Sequence, residues 1–294
     1  MLNEFKNAFS RPNNGHIQLI IINVIVYLVL AVLLVFSKIL DFEQVFKLIH
    51  DQFSIPPKFA EFITRPWTII TYSFMHDLYG ILHILFNMLV LYWFGRLFVE
   101  YLGSDKVVAL YVLGALAAGI CYLLVFNTVP YFKNIASFPG MVGASGAIFA
   151  IMVACATLMP DYTFFLLFLG PVKIKYIAAF YIVLSFLGTV QNNAGGNIAH
   201  LGGALMGFVY IKQLQAGVNW GGWITSTLYW IRNLFSSTPK VKVTYRKESS
   251  PGRNGNLSGV SQKEIDDILD KISDGGYESL TKEEKEKLFK ASKK

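Results

Sequence analysis

The sequence predicts an all-α, polytopic membrane protein, in which a bundle of six transmembrane helices is followed by a helical C-terminal tail. Of its 294 residues, 54% are hydrophobic and only 15% are charged, a proportion of charge that soluble domains of this length rarely have. The hydrophobic residues form several uninterrupted runs, as transmembrane helices do. The formal net charge is +7, and half of all Lys and Arg residues lie after residue 239. In a membrane protein such asymmetry bears on topology, so no nucleic-acid partner is expected.

Six apolar runs are the candidate transmembrane spans. A helix rises about 1.5 Å per residue, so about 20 residues cross the ~30 Å hydrocarbon layer of a bilayer. The fifth run is the least clear, because the apolar stretch before it is ended by Pro171, Lys173 and Lys175. In chain order the runs cover residues 19–36, 81–99, 107–126, 144–159, 176–190 and 198–214.

The fourth run is too short to reach both faces of a bilayer. It provides only about 24 Å of helix, and Gly140 and Gly143 precede it. Irregular backbone at membrane depth is tolerated only where protein encloses it or where it lines a wet cavity. We therefore expect Ser145 to lie at a helix N-terminus that is recessed below the membrane surface.

The charges of the short loops predict the orientation of the bundle. Arg96 lies near the end of the second span and Lys106 follows it, and Lys173 and Lys175 precede the fifth span. The loop QNNAGGN between the fifth and sixth spans carries no charge. The positive-inside rule then places both termini in the cytoplasm. Spans two, four and six would all begin on the outer side of the membrane.

Composition divides the chain into five segments. Tryptophans and an arginine in the segment after the sixth span indicate a helix lying in the membrane interface. A stretch rich in Ser, Pro and Gly is typical of a flexible linker, and the last residues form two capped, charged helices of a hairpin whose partner is unknown. The predicted segments are a cytoplasmic N-terminus (1–17), the six-span core (18–215), the interfacial amphipathic segment (216–235), the linker (236–260) and the helical hairpin (261–294).

Few polar side chains lie inside the spans, and each is a candidate functional residue because such residues are costly in a membrane. Ser145 begins span four, His200 lies near the start of span six, and His83 and Asn87 lie near the start of span two. Serine becomes a nucleophile when a base takes its proton, and neutral histidine suits that task near pH 7. Since no acidic residue lies near His200 in these runs, we expect a Ser–His dyad rather than an Asp-based triad.

The remaining candidate residues support this dyad. The carbonyl that the serine attacks becomes an oxyanion, which needs hydrogen-bond donors already aimed at it. The N–H of Ser145 at a helix start is one expected donor, and His83 and Asn87, which share a helical face, are expected to supply others. Phe149 lies one turn after Ser145 and is expected to stack on the ring of His200.

Each of these residues also has a purely structural interpretation. Small residues commonly line membrane helix interfaces, and polar ones commonly form hydrogen bonds between helices. Taken alone, Ser145 would be a packing residue, Asn87 would form a hydrogen bond between helices, and Phe149 would belong to the hydrophobic core. Small residues spaced four apart predict close packing of spans four and six, which would bring the dyad together: Gly146 with Ala150 and Gly203 with Gly207, with Gly143 in the same group.

Three motifs together resemble the rhomboid family of intramembrane serine proteases. They are HILFN at the start of span two, GASG at the start of span four and AHLGGALMG at the start of span six, and the resemblance covers about residues 15 to 215. It implies a six-helix rhomboid bundle around a water-accessible cavity, with Ser145 as nucleophile, His200 as general base, and His83 and Asn87 assisting the oxyanion. The family often has tyrosine where Phe149 stands.

The predicted function is that of an intramembrane serine endopeptidase, a hydrolase that cleaves transmembrane segments of other proteins. No cofactor and no metal are expected, and the expected partners are transmembrane substrates and the lipid bilayer. A non-catalytic rhomboid-like chaperone or adaptor is the alternative, and a transporter a third possibility. The predicted location is the bacterial plasma membrane, with the active site opening to the outer side.

Overall fold

Helices make up most of the chain in the computed structural model, which describes residues 13–133, 140–235 and 262–292. The chain forms two units, Met1–Ser237 and Thr238–Lys294. The predicted N-terminal segment through residue 12, and the whole predicted linker, lie outside the described residues. The prediction of a mainly helical protein is confirmed.

The first unit contains eleven helices and one pair of strands among its described residues. In chain order they are α1 (Gly15–Ile39), α2 (Glu43–Asp51), α3 (Phe59–Thr64), α4 (Thr68–Thr71) with a 3-10 turn (Tyr72–Phe74), α5 (Ile81–Leu102), α6 (Ser104–Thr128), α7 (Pro130–Lys133), α8 (Ser145–Leu158), β1 (Thr163–Leu166), β2 (Gly170–Lys173), α9 (Ile174–Gly188), α10 (Ala194–Gln215) and α11 (Gly222–Phe235).

Three of these helices, α1, α5 and α6, are long and apolar enough to cross a membrane by length and composition. Two shorter apolar helices, α8 and α9, have 14 and 15 residues. At about 1.5 Å per residue, α8 is only about 21 Å long. It is therefore even shorter than the run of residues 144–159 suggested.

Helix α8 lies at the centre of the first unit. Every side chain from Gly146 to Ala156 is buried, and α5, α6, α9 and α10 surround it. A helix that is apolar on all sides is expected in such a position. Because α8 is enclosed by other helices, its N-terminus can lie at depth without exposing backbone to lipid.

Glycines bring α8 into direct backbone contact with α10. A Cβ added at Gly203 would overlap the carbonyl oxygen of Gly146, and one at Gly207 would overlap the carbonyl oxygen of Ala150. The contact with α6 is also close, because a Cβ at Gly146 would lie 2.6 Å from the Cβ of Ala118. Small residues at these positions permit an approach that any larger side chain would prevent.

The segment between α1 and α5 is anchored on α6 by buried tyrosines. Tyr111 donates a hydrogen bond to the carbonyl of Ser73 at 2.6 Å and accepts one from the Asn23 amide at 3.1 Å. The hydroxyl of Tyr72 donates to the carbonyl of Ala115 at 2.8 Å. These bonds satisfy polar groups that would be costly to bury alone, and they fix the loop that precedes α5.

A β-hairpin departs from the predicted all-α fold. Strands β1 and β2 pair antiparallel, with Thr163 opposite Lys173 and Leu166 opposite Gly170. Gly170 has φ of +70°, a conformation that favours glycine, and Pro171 in β2 cannot continue a helix interior. This apolar stretch, which precedes the predicted fifth span, therefore turns back on itself before α9 begins.

The second unit contains two α-helices among its described residues, α12 (Gln262–Gly275) and α13 (Lys282–Ser292), with a 3-10 turn (Tyr277–Ser279) between them in the chain. Gly276, with φ of +73°, ends the first helix. Thr281 and Glu284 form a capping box, in which the Thr281 N–H donates to the carboxylate at 2.8 Å and the Glu284 N–H donates to the threonine hydroxyl at 3.3 Å. Local sequence chemistry thus sets the start of α13.

Candidate active site

A short loop fixes Ser145 as the first residue of α8. Ile55 and Met141 exchange backbone hydrogen bonds at 2.9 and 3.1 Å, and the Gly143 N–H donates to the carbonyl of Tyr72 at 3.0 Å. Gly143 itself has φ of +138°, a backbone conformation that residues other than glycine rarely adopt. The prediction that Gly143 serves helix packing is therefore corrected: its glycine shapes the turn into α8.

His200 meets Ser145 from the neighbouring helix. It lies in the second turn of α10, whose start is capped by Asn193 through a 3.3 Å bond from the Gly196 N–H. Its Nε2 is 2.7 Å from the Oγ of Ser145. The two side chains predicted to form a dyad are thus in hydrogen-bond contact.

Phe149 covers the imidazole of His200. The two rings are stacked with centroids 4.2 Å apart and an angle of 6° between their planes. On its other side Phe149 meets Tyr181 of α9 edge-on, with centroids 6.2 Å apart. An aromatic ring thus lies flat against one face of the imidazole.

The structure adds a contact that the sequence reasoning missed. The Oγ of Ser185, on α9, lies 3.1 Å from Nδ1 of His200, and this serine is buried. Both ring nitrogens of His200 therefore contact hydroxyl groups. The available sequence signal was a single serine within the apolar run of α9, which on its own is equally typical of helix packing.

His83 and Asn87 extend from α5 into the same region. The amide nitrogen of Asn87 donates to the carbonyl of His83 at 2.8 Å, and Nδ1 of His83 accepts a long bond of 3.4 Å from the Asp77 N–H. The buried ring of His76 lies 5.5 Å from that of His83. Among the described residues, no group of three His, Cys, Asp or Glu side chains could hold a metal ion.

Two cavities meet at Ser145 and His83. The first, of about 490 Å³, is almost entirely apolar and lies between α5 and α9, with Phe86, Asn87 and Tyr181 in its walls. The second, of about 420 Å³, has a larger polar share and includes Asn192 and Asn193 from the loop before α10. The serine hydroxyl thus lies between a space suited to an apolar chain and a space suited to water.

Comparison with known proteins identifies the family. Residues 64–215 match the Rhomboid domain, a segment that contains all three motifs and slightly more than half of the chain. The chain belongs to the rhomboid family. The resemblance read from HILFN, GASG and AHLGGALMG is therefore confirmed. Residues 260–294 match a family of unknown function, DUF6576.

Several curated proteins are similar to this rhomboid chain. RHOMBOID-like protein 12, mitochondrial, of Arabidopsis thaliana is 32% identical over 52% of this chain and 48% of its own length. Rhomboid protein 1, mitochondrial, of Saccharomyces cerevisiae is 31% identical over 51% of this chain and 42% of its own length. Rhomboid protease GlpG of Haemophilus influenzae is 26% identical over 62% of this chain and 84% of its own length. The chain thus spans about half the length of the first two relatives.

These relatives overturn the predicted location. Most of the relatives found are named as mitochondrial proteins, so the prediction of a bacterial plasma membrane, with cytoplasmic termini and an outward-opening site, is wrong. The error has a physical origin. Loop charges indicate which helix ends share one side of a membrane, but they carry no information about which membrane it is.

Proposed function

We propose that this rhomboid protein is an intramembrane serine endopeptidase that cleaves transmembrane segments of other proteins. The observation that carries the proposal is the 2.7 Å contact between the Ser145 hydroxyl and Nε2 of His200. A nucleophile and a base within hydrogen-bond reach, with the base held by further groups, is the arrangement that covalent catalysis requires. The name of the Haemophilus relative, a rhomboid protease, supports the same activity.

The proposed reaction begins with attack of the Ser145 oxygen on the scissile carbonyl carbon, while Nε2 of His200 takes the hydroxyl proton. The negative charge that develops on the carbonyl oxygen is stabilised by donors at the start of α8 and α5: the Ser145 N–H, His83 and Asn87. The imidazolium then protonates the leaving amine, and the C–N bond breaks. Water, with His200 again as base, hydrolyses the acyl-enzyme and restores the serine.

The two cavities support a membrane-embedded substrate. The apolar cavity between α5 and α9 provides a lateral space for an apolar chain, and the more polar cavity provides a route for water to the same serine. We assign the six spans to α1, α5, α6, α8, α9 and α10, with α8 as the short central one. The names of the relatives favour a mitochondrial membrane for this bundle.

Cleavage of a fluorogenic transmembrane peptide by the purified protein in liposomes tests the proposal. We expect Ser145→Ala and His200→Ala each to lower kcat by at least about 10³-fold, since the members of a dyad act as a unit. Ser37→Ala is a matched control, because Ser37 is also buried but donates to the carbonyl of Leu34 within α1.

A fluorophosphonate probe tests the nucleophile directly. It should label the wild type and the Ser37→Ala control but not Ser145→Ala. Cleavage that survives in Ser145→Ala would refute the proposed nucleophile. Binding of transmembrane clients by a wild type that neither cleaves nor becomes labelled would indicate the non-catalytic chaperone instead.

A further inference from the structure

We propose that Ser185 is a positioning residue that selects the productive tautomer of His200. This inference rests on the proposed protease function, and it assigns a role to a helix that otherwise contributes only a wall of the apolar cavity. Ser185 does not touch the reacting atoms, since it reaches the serine nucleophile only through the imidazole ring.

Three contacts define the state of the imidazole. Its Nε2 is 2.7 Å from the oxygen of Ser145, its Nδ1 is 3.1 Å from the oxygen of Ser185, and its face is stacked on Phe149. Ser185 is only 4% exposed, so water competes little for this contact. The ring is therefore held at both nitrogens and on one face.

The chemistry requires one of the two neutral tautomers. A neutral imidazole carries a proton on one nitrogen and a lone pair on the other. His200 can take the proton of Ser145 only when Nε2 carries the lone pair, which places the ring proton on Nδ1. A buried N–H without an acceptor is unfavourable, and the Ser185 oxygen is placed to accept it.

The same contact serves the next step of the reaction. Once Nε2 has taken the proton, both nitrogens of the imidazolium are donors, and Nδ1 still needs an acceptor. In a Ser-His-Asp triad a carboxylate fills this position and holds the tautomer. Here the contact at Nδ1 is a hydroxyl on α9, an uncharged group that performs the orienting part of that task.

Kinetics of Ser185 variants provide the first test. We expect Ser185→Ala to lower kcat about 10- to 100-fold with little change in KM, because fewer molecules hold the reactive tautomer. Ser185→Thr keeps an oxygen at the same position and should restore most of the activity. Thr189→Val is the matched control, since the Thr189 hydroxyl, one residue after the end of α9, donates to the carbonyl of Phe186 and its loss should leave kcat unchanged.

A spectroscopic measurement separates tautomer control from general destabilisation. In protein labelled with ¹⁵N-histidine, the His200 signals are identified by their loss in His200→Ala. We expect a protonated Nδ1 and an unprotonated Nε2 in the wild type and in Ser185→Thr, and a mixture of tautomers in Ser185→Ala. A protonated Nε2 in the wild type, or unchanged signals and unchanged kcat in Ser185→Ala, would overturn the inference.

The two proposals fail in distinguishable ways. If the wild type neither cleaves the peptide nor reacts with the fluorophosphonate, the proposed protease function is refuted. The ¹⁵N signals of His200 would still report whether Ser185 sets the tautomer of the imidazole. If the wild type is active and Ser185→Ala has the same kcat and the same His200 tautomer, only the proposed role of Ser185 is refuted. If Ser185→Ala does not fold, Ser185→Cys, which keeps the shape with a weaker acceptor, gives the same comparison.

Discussion

Gly203→Ala adds one methyl group and should separate the two dyad residues without removing either. A Cβ at Gly203 would lie 2.8 Å from the carbonyl carbon of Gly146 and would overlap the carbonyl oxygen. Non-bonded carbon atoms are at their best separation at about 3.5–4.0 Å. The backbones of α8 and α10 must therefore move apart by roughly 1 Å, and Ser145 and His200 lie on these two helices.

That displacement is large relative to the geometry of the site. The distance from Oγ to Nε2 would grow from 2.7 Å to as much as about 3.7 Å, beyond the normal hydrogen-bond range of about 2.5–3.2 Å. A misplacement of about 1 Å can lower a catalytic rate about 10²-fold. We therefore expect kcat of Gly203→Ala to fall about 100-fold.

Stability provides a second, independent measurement. Alanine favours a helix over glycine by about 1 kcal/mol, so helix propensity alone would stabilise the variant. Overpacking instead destabilises proteins by about 1–3 kcal/mol, and we expect a lower Tm. Gly222→Ala is the matched control, because a Cβ there would meet no atom closer than 3.7 Å. Wild-type kcat together with an unchanged or higher Tm for Gly203→Ala would refute the reasoning.

Three further predictions concern other parts of the molecule. Phe149→Leu should lower kcat about tenfold, because it removes the stacked ring, and Phe149→Tyr should not; equal peptide cleavage by both would contradict the stacking role. Tyr111→Phe removes the hydroxyl that donates to the Ser73 carbonyl and accepts from the Asn23 amide. The free energy of unfolding should therefore fall by about 1–3 kcal/mol, and a thermal melt at wild-type temperature would count against it. The N–H of Thr281 and the ammonium of Lys271 lower the pKa of Glu284 from 4.5 to about 2. Because the pKa of Glu284 is lower in the folded protein, its ionised carboxylate stabilises the fold fully above about pH 4.5, and this stabilisation is lost as the pH falls through about 2. A ¹³C titration of the carboxyl group should give that low midpoint in the wild type and a higher one in Lys271→Ala. A wild-type midpoint near 4.5 would disprove the prediction.

The sequence predicted the parts of the site that are unusual in a membrane. Polar residues at the starts of apolar runs stand out because lipid excludes them, and Ser145 and His200, selected on that basis, lie in contact. Helix α5 begins at Ile81 as predicted, whereas α10 begins at Ala194, four residues before the predicted span. Apolar composition marks what enters lipid, but the capped helix begins earlier, through small residues and Asn197.

The features that the sequence did not predict depend on tertiary contacts. Ser185 is one hydroxyl in an apolar helix, and only the approach of α9 to α10 shows that it faces an imidazole nitrogen. The hairpin of β1 and β2 lacks the alternation of polar and apolar residues by which a strand is recognised. Gly143 was grouped with the packing glycines, because the sequence does not show that its φ is positive; the folded backbone does.

Both ring nitrogens of His200 contact hydroxyl groups rather than a carboxylate, which has a consequence for the speed of the proposed enzyme. A carboxylate at Nδ1 would offset the positive charge that the ring acquires, but placing such a group in the middle of a bilayer costs about 2.5–3.5 kcal/mol. Neutral hydroxyls ease membrane insertion of the helices and leave the transient cation less well compensated. Slow turnover is the expected result, and a slow protease cuts mainly those chains that stay beside it long enough to unwind.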